Sequence, residues 1–128
     1  MSDGDRPTAV LIVEDDPESS RALEWVLEIG GYAPVAVANG RKALEYLRNS
    51  HAAQLVILDL HLPDIPGDVV YALVRAEPTL KGLPVIVHTG LHDIPRMPGV
   101  FATLLKGIPP NTLLGVVDEA CGRRVAKD

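Results

Sequence analysis

An α/β domain with a parallel sheet covered on both faces is the fold class this sequence predicts, and three features predict it. Short aliphatic runs, Ala9-Val10-Leu11-Ile12-Val13 and Leu55-Val56-Ile57-Leu58 among them, lack the alternation of a half-exposed strand and so suit strands buried on both sides. Stretches of helical period separate them, which implies right-handed βαβ crossovers. A chain of 128 residues with 47% apolar content is enough for one domain with one core.

The elements follow in order. Ala9 to Val13 is the first strand. Pro17 to Ile29 is a helix opened by Asp16 or Pro17 and stopped by Gly30-Gly31, with Leu23, Val26 and Leu27 as its apolar stripe. Ala33 to Ala38 is the second strand. Asn39-Gly40 then turns into a helix from Arg41 to Arg48, with Ala43, Leu44 and Leu47 inward. The third strand runs from Leu55 to Asp59. Pro66 to Ala76 is a helix whose Val69, Val70, Leu73 and Val74 are expected to face the core. Leu83 to His88 is a fourth strand and Phe101 to Leu105 a fifth. Pro109-Pro110-Asn111 opens the last helix, Thr112 to Cys121, bearing Leu113, Leu114, Val116 and Val117. The expected boundaries are an extended or disordered N-terminus at 1–8, a domain at 9–122 and a tail at 123–128.

Composition narrows the partners. A net charge of −5 and the lack of any Lys/Arg cluster beyond Arg123-Arg124 argue against direct nucleic-acid binding. The polar, acidic N-terminus is not a signal peptide, and no apolar stretch approaches a membrane span. Cys121 stands alone, so no intrachain disulfide can form and a reducing, cytoplasmic setting is expected; the thiol is taken to pack against the last helix.

The chemistry gathers where the strands end. Glu14 and Asp15 follow the first strand, Asp59 ends the third, Thr89 follows the fourth and Lys106 the fifth. In an open parallel sheet those ends border the ligand crevice. Several carboxylates there repel one another unless a cation or protons intervene, and hard oxygen ligands suit Mg²⁺. A carboxylate can accept a phosphoryl group, while a Lys and a hydroxyl can hold the transferred oxygens.

These residues carry a resemblance. The acidic pair Glu14-Asp15, the pattern Asp59, Pro63 and Gly67 after the third strand, Thr89 after the fourth and Lys106 after the fifth look like the receiver domain of two-component response regulators, over Ala9 to Val117. The resemblance implies a flavodoxin-like, doubly wound sheet of order 2-1-3-4-5. It implies that a sensor histidine kinase or phosphotransfer protein phosphorylates Asp59 and that the domain signals to a downstream protein by contact. Asp15 and Asp59 would bind Mg²⁺ directly, Glu14 partly through water, and the backbone carbonyl of His61 would complete the ligands. Such a domain promotes its own phosphorylation and dephosphorylation and is not a conventional enzyme.

Departures from the family pattern set further expectations. Pro95 and Pro98 leave no room for a normal fourth helix, so that helix should be reduced or missing. Gly107 stands where the family has a cis-proline, and Thr103 where many members place a switching aromatic. The Gly90–Gly99 segment, with few large apolar anchors, is expected to be mobile until phosphorylation orders it, with an output surface reaching Ile108 to Leu114. A constitutive interaction or phosphate-sink domain without a switch is the alternative. A dehalogenase-type hydrolase is disfavoured, because His61 occupies the place where it needs a second Asp. Asp16 is read as a helix cap rather than a ligand, Trp25 and Phe101 as packing groups, and His88 and His92, on a strand and a loop, as not forming a transition-metal pair.

Overall fold

Each aliphatic run becomes a strand of one parallel sheet in the computed structural model, which describes residues 7–123. The strands are β1 (Thr8–Val13), β2 (Tyr32–Val37), β3 (Ala53–Leu58), β4 (Val85–Thr89) and β5 (Ala102–Leu105). The helices are α1 (Pro17–Ile29), α2 (Gly40–Asn49), α3 (Gly67–Ala76) and α4 (Pro110–Ala120). Sheet order is β2-β1-β3-β4-β5, and every neighbouring pair is parallel. Successive side chains of a strand point to opposite faces. Val10, Ile12, Leu55, Ile57 and Ile86 therefore join Leu23, Leu27, Leu113 and Val117 of α1 and α4. Leu11, Val13, Val56, Leu58 and Val87 join Leu44, Leu47, Val70 and Val74 of α2 and α3.

The expected elements are present, with shifted limits. β1 starts at Thr8, inside the segment expected to be an extended N-terminus, and Asp59 lies one residue past β3. β4 begins at Val85, after Pro84, whose nitrogen cannot donate to a ladder. The remainder of the expected N-terminal segment and of the tail, residues 1–6 and 124–128, lies outside the described residues. Arg123, assigned to the tail, is bonded in place: its guanidinium donates to the carbonyls of Gly30 and Gly31 and stacks on the Tyr32 ring.

Four packing expectations need correction. Val70 and Val74 are buried, but Val69 and Leu73 are about 40% exposed (42% and 40%), because α3 turns only a narrow stripe to the sheet. Trp25, 63% exposed, lies outside the α1 stripe of Leu23, Val26 and Leu27. Phe101 is also exposed. It precedes edge strand β5, and no helix occupies residues 90–101 to cover it. The missing helix itself is as expected.

That segment has more anchors than its composition suggested. Met97 is buried in the core, with Ile94 and Val100 packed against it. The Tyr71 hydroxyl donates to the Pro98 carbonyl at 2.7 Å, and Arg75 donates to the carbonyls of Lys81, Leu83 and Gly99. Gly99 has φ +90°, and a Cβ there would meet the Tyr71 hydroxyl oxygen at 2.8 Å, so the chain passes tightly over α3. These contacts secure the later half of the segment.

Candidate phosphoacceptor and metal site

Parallel strands β1, β3, β4 and β5 deliver the chemistry to one edge of the sheet. Glu14 follows β1, its backbone N–H donating to the Val37 carbonyl, and its side chain is buried at 3% exposure. Asp59 follows β3, its N–H donating to the Val13 carbonyl, and it is 4% exposed. The backbone ladder of β1 thus extends one residue on each strand and sets the two carboxylates side by side. Asp15, next to Glu14, is exposed. Carboxylate oxygens of Glu14, Asp15 and Asp59 all lie within 4.8 Å of one another.

Lys106 enters this cluster from the end of β5. Its backbone N–H donates to the Thr89 carbonyl at 2.8 Å, which fixes where the side chain starts. Its Nζ lies 2.7 Å from Glu14 Oε1 and donates to Asp59 Oδ2 at 3.2 Å. At 2.7 Å the ammonium is a close charge-assisted partner of Glu14 Oε1, which has no further partner. Glu14 Oε2 accepts from the Asp16 N–H at 3.0 Å.

The electrostatics follow from this crowding. Burial pushes the Glu14 carboxyl above its ordinary range; Lys106 and the Asp16 N–H oppose the shift, and Asp59 adds to it. Burial alone would lower the Lys106 ammonium, but its bonds to Glu14 and Asp59 outweigh that and raise it. One ammonium faces three carboxylates, so the cluster holds excess negative charge. Three converging carboxylates, with one ammonium among them, fit a hard divalent cation.

The remaining expected residues fall around this centre. Thr89 is fully buried at the end of β4, and its hydroxyl accepts from the Leu91 N–H at 3.1 Å. The His61 side chain is exposed, while its backbone N–H points to Asp59 Oδ1 at 3.4 Å. Asp16 caps α1 by accepting from the Ser19 N–H, which holds its carboxyl below the usual range, as the cap reading expected. Gly107 adopts φ +99°, and no peptide bond among the described residues is cis. Cys121 ends α4 half-buried and packs on the α1–α4 core. His88 faces the same side as Ile86 and lines a cavity of about 250 Å³ with Ser19, Ala22, Leu23 and Lys106. Burial and the nearby Lys106 push the His88 imidazole down.

Two residues gain a role that spacing alone did not disclose. A Cβ on Gly67 would lie 2.3 Å from the Asp59 carbonyl oxygen and 2.6 Å from the Leu60 Cα, so only glycine lets α3 start this close to Asp59. Asp64, absent from the expected set, bonds the start of α2. Its three backbone donors are Gly40, Arg41 and Ile65.

Comparison with known proteins agrees with this geometry. Rrf1 of Nitratidesulfovibrio vulgaris is 30% identical over 115 residues, covering 89% of this chain and 83% of Rrf1. The receiver domain of a signal transduction histidine kinase from Syntrophus aciditrophicus superposes with a TM-score of 0.82 at 29% identity, over 94% of this chain and 96% of that one. A Mn²⁺-bound form of the response regulator Rcp1 superposes with a TM-score of 0.76 at 27% identity, over 94% and 98% of the two chains; Rcp1 is from a Synechocystis strain. Against two longer transcriptional regulators of Escherichia coli strains, the chain spans only 26% of their length. No helix among the described residues is long and apolar enough to cross a membrane. Residues 10–118 match the sequence model of the response regulator receiver domain, and the chain belongs to that family of two-component signalling domains.

Proposed function

We propose that the domain accepts a phosphoryl group on Asp59 from a histidine kinase or phosphotransfer protein and transmits the change by contact with a downstream protein. One observation carries the reading: the Lys106 ammonium sits between Glu14 and Asp59 at the strand ends, beside a further carboxylate, Asp15. In the transfer, an Asp59 carboxylate oxygen forms the new bond to phosphorus as the donor's bond to phosphorus breaks. Lys106, already on Asp59 Oδ2, stays close enough to hold a transferred oxygen, and Thr89 offers its hydroxyl once it leaves the Leu91 N–H. Glu14, Asp15, Asp59 and the His61 carbonyl would hold Mg²⁺, which supplies positive charge to the phosphoryl oxygens. The Mn²⁺ found with Rcp1 supports a divalent ion here. The domain acts in the cytoplasm, as phosphoacceptor rather than as a conventional enzyme. Ala22, Trp25 and Ile29 are exposed and share a face of α1 by their spacing; Ala22 also lines the cavity beside Lys106, so this face suits the phosphodonor protein.

A second reading, a phosphate-sink or constitutive interaction domain, draws support from Thr103. It stands exposed on β5 where no helix covers it, and the Tyr71–Arg75 anchors, with Ile94 and Met97 packed on the core, leave chiefly Gly90 to Asp93 free to reorder. Incubation with a small-molecule phosphodonor and Mg²⁺, read by intact mass, tests the primary reading. Wild type should gain one phosphoryl mass and Asp59→Asn none; equal gain by both proteins would refute Asp59 as acceptor. Hydrogen exchange across Leu91 to Arg96, with and without a phosphoryl mimic, then separates a switching domain from a passive one.

A further inference from the structure

Between Asp59 and Gly67 the chain links β3 to α3, and it is tied down at both ends. The Asp59 N–H donates to Val13, and the Gly67 N–H donates to the Leu60 carbonyl at 3.0 Å. Between those ties, Leu62 and Ile65 pack partly on the core, and one charged side chain reaches out of the loop. Asp64 is exposed, yet its Oδ1 accepts from the Gly40 N–H at 2.9 Å and the Ile65 N–H at 2.7 Å, and its Oδ2 accepts from the Arg41 N–H at 2.9 Å.

Gly40 and Arg41 open α2, whose first N–H groups have no partners within the helix. Asn39 caps that helix through Lys42, so Asp64 takes two donors that Asn39 leaves free. A negative group at a helix N-terminus is also favoured by the helix dipole. The bonds, led by that from Arg41, hold the Asp64 carboxyl below its usual range. The seat is close: a Cβ on Gly40 would lie 2.7 Å from Val70 Cγ2 and 3.1 Å from Ile65 Cβ. Helix α2, the loop and α3 therefore meet at one point, three residues past His61.

We propose that Asp64 is a positioning residue for the metal site: by bonding the loop to the start of α2, it sets where the His61 carbonyl stands relative to Asp59. The inference rests on the metal reading given under Proposed function. His61 itself touches the site only through a long 3.4 Å N–H contact with Asp59, too weak to hold the loop alone. Beside the packing of Leu62 and Ile65, Asp64 supplies the polar hold on the loop between Leu60 and Gly67.

The test is a Mg²⁺ titration of the full chain, followed through the amide resonances of Asp59 and His61. It compares wild type, Asp59→Asn, Asp64→Ala, Asp64→Asn and Asp68→Ala. Groups that orient metal ligands from outside the coordination shell typically contribute about ten-fold or more to affinity. Asp64→Ala should weaken Mg²⁺ about ten-fold and speed exchange of the Gly40 and Arg41 amides in the metal-free protein. Asp64→Asn keeps one acceptor oxygen for Gly40 and Ile65 but turns an NH2 toward the Arg41 N–H, so it should recover part of the affinity. Asp68→Ala removes the same charge from the first turn of α3 and should stay near wild type. Wild-type affinity in Asp64→Ala, or equal weakening in Asp64→Asn and Asp68→Ala, overturns the positioning role while leaving the metal reading intact, provided Asp59→Asn still abolishes the response. A wild type indifferent to Mg²⁺ overturns both.

Discussion

Replacing Gly67 by alanine should damage the site from the side opposite its charges. The added methyl would sit 2.3 Å from the Asp59 carbonyl oxygen, 2.6 Å from the Leu60 Cα and 3.1 Å from the Asp59 carbonyl carbon. Favourable non-bonded separations are about 3.5 Å, so the backbone must open by about 1 Å. Every atom in the way is main chain, so no rotamer change relieves the clash. The Gly67–Leu60 and Asp59–Val13 hydrogen bonds resist the movement from both sides. Overpacking of this kind costs about 1–3 kcal/mol, which for a domain of this size lowers the thermal midpoint by about 3–10 °C. The same shift carries Asp59 away from Lys106, now 3.2 Å distant, so phosphoryl acceptance should fall by more than the loss of folded protein explains. The matched control is Gly115→Ala. Gly115 lies within α4 with nothing within 4 Å of its added Cβ, and helix propensity favours alanine there by about 1 kcal/mol. Thermal melts followed by circular dichroism, together with intact-mass phosphorylation at a temperature where both variants are folded, decide the matter. A Gly67→Ala protein that melts and accepts phosphoryl groups like Gly115→Ala would refute the reasoning.

Other expected outcomes concern charge and packing. Glu14 has a raised folded-state pKa, so its stabilising effect is complete below about pH 4.3, its unfolded range, and is lost as pH rises through the folded value. Glu14→Gln should accordingly flatten the fall in stability of the metal-free protein from pH 4 toward neutrality in denaturant titrations, and a steeper fall would contradict the assignment. Lys106→Met leaves Glu14 and Asp59 facing each other without a cation. The partial exposure of Lys106 reduces the penalty to about 1–3 kcal/mol, and millimolar Mg²⁺ should restore part of it. Leu23→Ala should cost about 2–4 kcal/mol in urea unfolding, whereas Trp25→Ser, on the same helix but 63% exposed, should change stability by less than about 0.5 kcal/mol.

What was legible in the sequence depended on how local the signal was. Buried strands announce themselves as aliphatic runs, and a residue at the end of such a run is necessarily at the sheet edge. Glu14 and Lys106 accordingly stand just past their strands as the runs imply, whereas Asp59 lies one residue beyond β3 and Thr89 is the last residue of β4. Pro95 and Pro98 likewise foretold the missing helix, since proline acts on its own backbone. Periodicity was coarser: it assigned Val69 and Leu73 to the core because both are apolar, whereas the sheet accepts only the stripe through Val70 and Val74. Phe101 depended on a neighbour, the helix that is not there. Asp64 and the Tyr71–Arg75 anchors were not legible at all. Gly40 and Arg41 lie 24 and 23 residues from Asp64, Pro98 lies 27 from Tyr71 and Gly99 lies 24 from Arg75, and a lone Asp or Arg carries no mark of the backbone group it will meet.

The bond between Arg123 and the α1–β2 turn has a practical consequence for handling the molecule. Gly30 and Gly31 precede Tyr32, the first residue of β2, so the end of the described chain is fastened at the amino ends of the strands. The Glu14–Asp15–Asp59 cluster is at their carboxyl ends, and a strand of this length spans about 20 Å. A fluorophore, biotin or solid support joined beyond Arg123 would leave the molecule facing away from Asp59. Immobilised through that end, the domain should bind a soluble phosphodonor at its free-solution rate, whereas attachment through an engineered thiol at Ala22 should block it.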